Sequence, residues 1–134
     1  MNRFSEVLLH ELPRETLALE ELRDCDGELV IRLSAREGRH FSVKFDDYIA
    51  YRKGDEGDML VPLSQIQDSS RLGGTLYEVT DSDYIAWFMQ QSRGTRARSD
   101  VRHFTLLSID DVIDVIALSA PSVSCSDPPS GVSE

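Results

Sequence analysis

Between Tyr77 and Leu118 the chain changes periodicity twice, and that change limits what it can fold into. Leu76–Val79 reads as a short strand. Thr80 or Ser82 then supplies a helix N-cap, with Asp83 at the positive end of the helix dipole. Ile85, Phe88 and Met89 follow at helical spacing, flanked by Tyr84 and Trp87. Gly94 stands where a helix end wants a left-handed residue. After an arginine-rich loop, His103–Ser108 and Val112–Ala117 read as strands joined by a turn at Ile109-Asp110-Asp111. One helix among strands predicts an α+β domain.

Upstream, Leu29, Ile31 and Leu33 alternate after an Asp26-Gly27 turn, and Phe41, Val43 and Phe45 alternate after a Gly38-containing link. These runs predict two successive hairpins. Residues 15–23, whose leucines at 17, 19 and 22 fit neither period cleanly, are read as helix or strand, with 16–23 as the first hairpin strand the preferred reading. Tyr48–Arg52 reads as an extended continuation with a bend, Lys53–Asp58 as a charged loop, and residues 59–74 as irregular or briefly helical. Phe4, Val7, Leu8 and Leu12, stopped by Pro13, predict a short amphipathic N-terminal helix. The expected architecture is a single domain over residues 1–118. Its mainly antiparallel sheet of five or six strands is packed by one principal helix. Residues 119–134, with six serines and three prolines, are expected to be a disordered tail.

Composition narrows the function classes. The 134 residues suffice for one core without staples. No apolar run approaches the roughly 18 residues of a membrane span, and the N-terminus lacks a secretory signal pattern. Cys25 and Cys125 suggest two free thiols in a reducing, cytoplasmic setting rather than a disulfide framework. The net charge of -10 disfavours nucleic acid and suits a basic protein partner. Four arginines (Arg93, Arg96, Arg98 and Arg102) interrupt that acidity, without the interleaved aromatics of a nucleic-acid track.

No catalytic set stands out. His10, His40 and His103 are isolated from one another and from Cys at metal-ligand spacing. His103 reads best as a half-buried, hydrogen-bonded strand residue. Asp110, Asp111 and Asp114 lack the glycine and the donor repeat of a calcium loop. Gly73-Gly74 lacks a phosphate-loop lysine, and no serine sits in a nucleophile elbow. The chain is therefore expected to be non-enzymatic, with no cofactor or metal. Asp46, Asp47, Asp55, Glu56 and Asp58 form the densest acidic run, and Tyr51 and Trp87 are candidate interface anchors. These seven residues are the expected partner-binding set. A ligand pocket between helix and sheet is the alternative.

Several strings resemble small bacterial immunity proteins that neutralise polymorphic or contact-dependent toxins. They are Tyr77-Glu78-Val79, Ser82-Asp83-Tyr84-Ile85-Ala86-Trp87-Phe88, His103-Phe104, Ser108-Ile109-Asp110-Asp111 and Ile113-Asp114-Val115-Ile116, with Tyr51-Arg52 ahead of Asp55-Glu56. The resemblance spans about residues 41–118 and assigns no active residue. It implies a cytoplasmic, protein-binding chain whose partner is a toxin domain with a basic face.

Overall fold

Turn chemistry sets the first hairpin. The computed structural model describes residues 2–7, 12–13, 15–55, 75–92 and 100–126. Strand β2 (Ala18–Cys25) is joined to β3 (Glu28–Ser34) by Asp26 and Gly27, both at positive φ (54° and 80°). Two such residues match the right-handed twist of the strands they connect. A second turn, with Gly38 at φ 103°, leads to β4 (His40–Phe45). Leu29, Ile31 and Leu33 of β3 and Phe41, Val43 and Phe45 of β4 all point to one face and are buried.

The remaining strands are β1 (Arg3–Glu6), β5 (Tyr48–Asp55), β6 (Leu76–Thr80), β7 (Arg102–Leu107), β8 (Asp111–Ala117) and β9 (Ser122–Ser126). The one helix of the described residues, α1 (Asp83–Ser92), lies between β6 and β7. The strands form two antiparallel sheets, ordered β1-β6-β7-β8-β5 and β2-β3-β4-β9. Their inner faces share one core. Leu76, Phe104, Leu106, Ile113 and Val115 of the first sheet meet the six alternating residues of β3 and β4, and the rings of Phe45 and Phe104 lie 5.7 Å apart.

This corrects the expected single-sheet α+β fold: among the described residues, nine strands in two antiparallel sheets carry one helix. The expected N-terminal helix is also overturned at Arg3–Glu6, which pairs with β6 and buries Phe4 beside Val79. Satisfying the backbone groups of an otherwise open β6 edge outweighs the weak helical spacing of a few apolar residues. Residues 8–11 lie outside the described residues, as do 59–74, Gly94 and the arginines Arg93, Arg96 and Arg98.

The chain changes sheets at a corner. Asp46 and Asp47 turn β4 of the second sheet into β5 of the first, so Tyr48–Arg52 is a new strand rather than a continuation, and it runs through Lys53 and Gly54. Leu118–Pro121 makes the reverse passage from β8 to β9. The two crossings are tied together. The Leu118 N–H donates to the Asp47 carbonyl (3.2 Å) and the Ser119 hydroxyl to Asp47 Oδ2 (2.7 Å).

Beyond that corner the expected disordered tail is wrong at Ser122–Ser126. All five residues of β9 pair with β4, and Val123 packs against the main core. Backbone hydrogen bonds to an edge need no apolar sequence. Residues 127–134 lie outside the described residues. Truncating the chain after Ala120 should lower stability by about 1–2 kcal/mol, for one half-buried valine and the exposed β4 edge. A melting temperature several degrees below wild type is the expected readout. An unchanged melting temperature would mean that β9 contributes nothing.

Candidate functional site

The outer face of the first sheet carries what the sandwich core cannot hold. His103 and Thr105 of β7, Asp114 and Ile116 of β8, and Arg52 of β5 lie beneath or beside α1. Ser82 caps that helix, its Oγ accepting the Ile85 N–H at 3.0 Å, and Asn2 Oδ1 accepts the Asp83 N–H at 2.7 Å. Of the two cap candidates, Thr80 and Ser82, the serine does the capping. Tyr84, Ile85, Val101 and Ile116 are buried together, with Phe88 and Met89 half-covered at their margin.

A polar chain runs under the helix start. Ser82 Oγ is 2.7 Å from His103 Nδ1, and His103 Nε2 is 2.7 Å from Asp114 Oδ1. Thr105 donates to the same carboxylate oxygen at 2.6 Å, and Arg52 Nε donates to Asp114 Oδ2 at 3.0 Å. Ser82, His103, Thr105 and Asp114 are each no more than 3% exposed. Burial alone would raise the Asp114 carboxyl. The His103 hydrogen bond and charge, the Thr105 hydroxyl and the Arg52 guanidinium outweigh it and hold the group below the ordinary carboxylate range. An ionised carboxylate only accepts, so His103 Nε2 carries a proton.

The order serine, histidine, aspartate is that of a hydrolase triad, but the rings are reversed (serine on Nδ1) and the serine is sealed. Its oxygen is also the helix cap. What this arrangement does is fasten the start of α1 to β7 and β8. Glu78, held low by the Arg102 side chain that donates to it at 2.9 and 2.8 Å, adds a second depressed carboxylate on the other face of the sheet.

These depressed pKa values have a signed consequence. Asp114 and Glu78 contribute stability above their unfolded values and lose it as pH falls toward their folded ones. Unfolding by urea should therefore become easier between about pH 5 and pH 3, and Glu78→Gln should make that fall shallower. Parallel slopes for wild type and variant would refute the assignment for Glu78.

Arg52 links this buried chain to the surface. Its guanidinium lies over the Tyr84 ring at 4.1 Å from the centroid, and Trp87 stacks on Tyr84 with centroids 6.0 Å apart and planes 24° apart. Tyr51, Arg52, Tyr84 and Trp87 line an open cleft of about 300 Å³. Trp87 is 53% exposed, the most exposed large apolar side chain among the described residues.

The expected partner-binding set thus separates. Trp87 stands on this cleft, and Tyr51 borders it from β5 while its ring packs on Tyr48 and the main core. Asp46 and Asp47 belong to the sheet-switching corner, where Lys44 pairs with Asp46 at 3.5 Å and Asp47 binds Ser119. Asp55 stands at the opposite end of β5, on the order of 25 Å along an extended chain from Asp47. Glu56 and Asp58 lie outside the described residues.

The polar chain escaped sequence reasoning, although a signal existed. Asp114 is a lone charge inside an otherwise apolar strand, and such a residue needs partners on a neighbouring strand. Thr105 is its direct cross-strand neighbour. Among the described residues no three His, Cys, Asp or Glu side chains converge as a metal site. No helix there is long and apolar enough to cross a membrane. Compared with known proteins, the chain matches no family model, no curated protein sequence and no solved structure.

Proposed function

We propose that this chain is a non-enzymatic protein-binding domain of the immunity-protein kind, anchored on its partner through the Arg52–Tyr84–Trp87 cleft. The observation that carries the reading is Trp87, a half-exposed indole backed by a buried tyrosine and an oriented arginine. Tryptophan, tyrosine and arginine are the side chains that dominate binding hot spots. A tryptophan kept in water on a rigid helix costs solubility, which a binding role offsets.

The net charge of -10 supports a basic partner, the kind of surface a nuclease toxin presents to its substrate. That charge acts through the body as a whole, since Asp46 and Asp47 stand at one end of β5 and Asp55 at the other. The ligand-pocket alternative has less support. Side chains of the polar chain and of Ile85 and Ile116 fill the space under the helix, and the cleft beside them is open rather than enclosed.

The test is calorimetric titration of the protein encoded beside this one in its genome, against wild type and Trp87→Ala. Binding to wild type should weaken at least 30-fold in the variant, about 2 kcal/mol or more, at an unchanged melting temperature. Equal affinity for both would remove the cleft from the interface. No binding to either would remove the support for the reading itself.

A further inference from the structure

The walls of the cleft are more specific than an apolar patch. Arg52 is held at two points: its Nε–H is taken by Asp114, and its plane lies on Tyr84. The carboxylate that orients it is 4% exposed, while the arginine side chain is 48% exposed. A group entering the cleft therefore meets the guanidinium and not the aspartate. Guanidinium offers five N–H donors and no acceptor, so one bond to Asp114 leaves most of its donors for other partners. The Trp87 indole N–H and the Tyr84 hydroxyl are further hydrogen donors on the residues that line the cleft, whereas Tyr51 turns its ring away, onto Tyr48 and the main core. Burial raises the Tyr84 hydroxyl further above its ordinary range, so it keeps its proton.

We infer that this cleft is a carboxylate receptor, taking one carboxylate-bearing residue of a protein partner, with its apolar part against Trp87 and its carboxylate on Arg52. The inference rests on the protein-binding reading only in assigning the carboxylate to a protein. Three observations on the molecule favour this occupant. Donor-rich walls need an acceptor, and a fixed guanidinium matches a planar carboxylate with two parallel bonds. A volume of about 300 Å³ holds one large residue rather than a folded element. The cleft also presents an exposed cation on an otherwise anionic body, so charge complementarity selects an acid at this spot even in a basic partner. A cationic side chain would instead face Arg52.

Trp87 is the only tryptophan in the chain, so its fluorescence reports this cleft alone. The probes are N-acetylphenylalanine and its uncharged amide, each titrated into the intact wild-type protein, with N-acetylargininamide and inorganic phosphate as the other arms. The carboxylate probe should give a saturable change at a concentration at least ten-fold lower than the amide. Arg52→Gln should bring the two probes together. Because that change also removes a partner of Asp114, its melting curve is recorded alongside, and the wild-type comparison stands without it.

Equal responses to carboxylate and amide would overturn the inference. A tighter response to N-acetylargininamide would do the same, and so would phosphate matching the carboxylate probe, which would mark a general anion site. Failure here together with a Trp87-dependent partner would leave the protein-binding reading standing. Success here without any protein partner would leave the cleft standing and remove that reading.

Discussion

Asp114→Ala should destabilise the protein by about 3–5 kcal/mol, a large part of the 5–15 kcal/mol that holds a domain of this size. Asp114 is the shared acceptor for His103, Thr105 and Arg52. Removing it leaves the His103 and Thr105 donors buried without that acceptor, and a stranded buried donor costs its full desolvation. Arg52 contributes less, since nearly half of its side chain reaches water and surface ion pairs are weak. Asp114→Asn keeps an acceptor oxygen and should cost roughly half as much. Denaturant unfolding followed by circular dichroism decides the matter. A loss below about 1 kcal/mol for the alanine variant would mean that α1 is held by its apolar contacts alone.

Phe104→Ala is the second large effect, again about 3–5 kcal/mol. Phe104 is 1% exposed, touches the Phe45 ring from the opposite sheet, and is covered by the Arg102 guanidinium at 5.0 Å. The pair lies where the two sheets meet, so the cavity cannot close without moving one sheet against the other. A double-mutant cycle with Phe45→Ala should show coupling of about 0.5–1.5 kcal/mol. Additive losses would place the two rings in separate environments. Phe88→Ala, by contrast, should cost only about 1–2 kcal/mol, because its side chain is half-covered at the margin of the helix patch.

How far the fold could be read in advance follows from what each pattern encodes. Asp26-Gly27 and the alternation that follows it specify a hairpin locally, so β3 and β4 were legible, whereas β2, with a bulge between Leu19 and Glu21, fitted no single period and was pointed to by the turn alone. Alternation also tells which face of β7 or β8 is buried, but not which strand lies opposite. The division into two sheets was therefore invisible, and five or six strands were placed in one. Phe4 and Val123 show the other gap. Each is a single apolar residue on an edge strand, and pairing supplied by backbone groups leaves almost no trace in side chains. At the site, Trp87 is exposed while Tyr51 packs on the main core, a difference that sequence does not show, and His103 and Asp114 come together only through strand register. Asp46 and Asp47 are near Asp55 in sequence but are separated from it by the length of β5, a spacing that only the strand assignment reveals.

The corner at Asp47 also governs how the chain can reach this state. Both crossings pass through it, so that His40 of β4 closes against Ser126, and at the far edge of the other sheet Arg3 of β1 closes against Thr80, in each case partners far apart in sequence. Such closures carry their entropy cost before their contacts form, so this chain should fold slowly for its length, in milliseconds to seconds. During synthesis the β2–β3–β4 hairpins emerge first with the outer edge of β4 open. That edge stays available for wrong pairing until β9 leaves the ribosome. Ser122–Ser126 is thus the seal that reaches β4 long after β4 itself is made, and chains interrupted before it should aggregate more readily than their modest loss of stability would suggest.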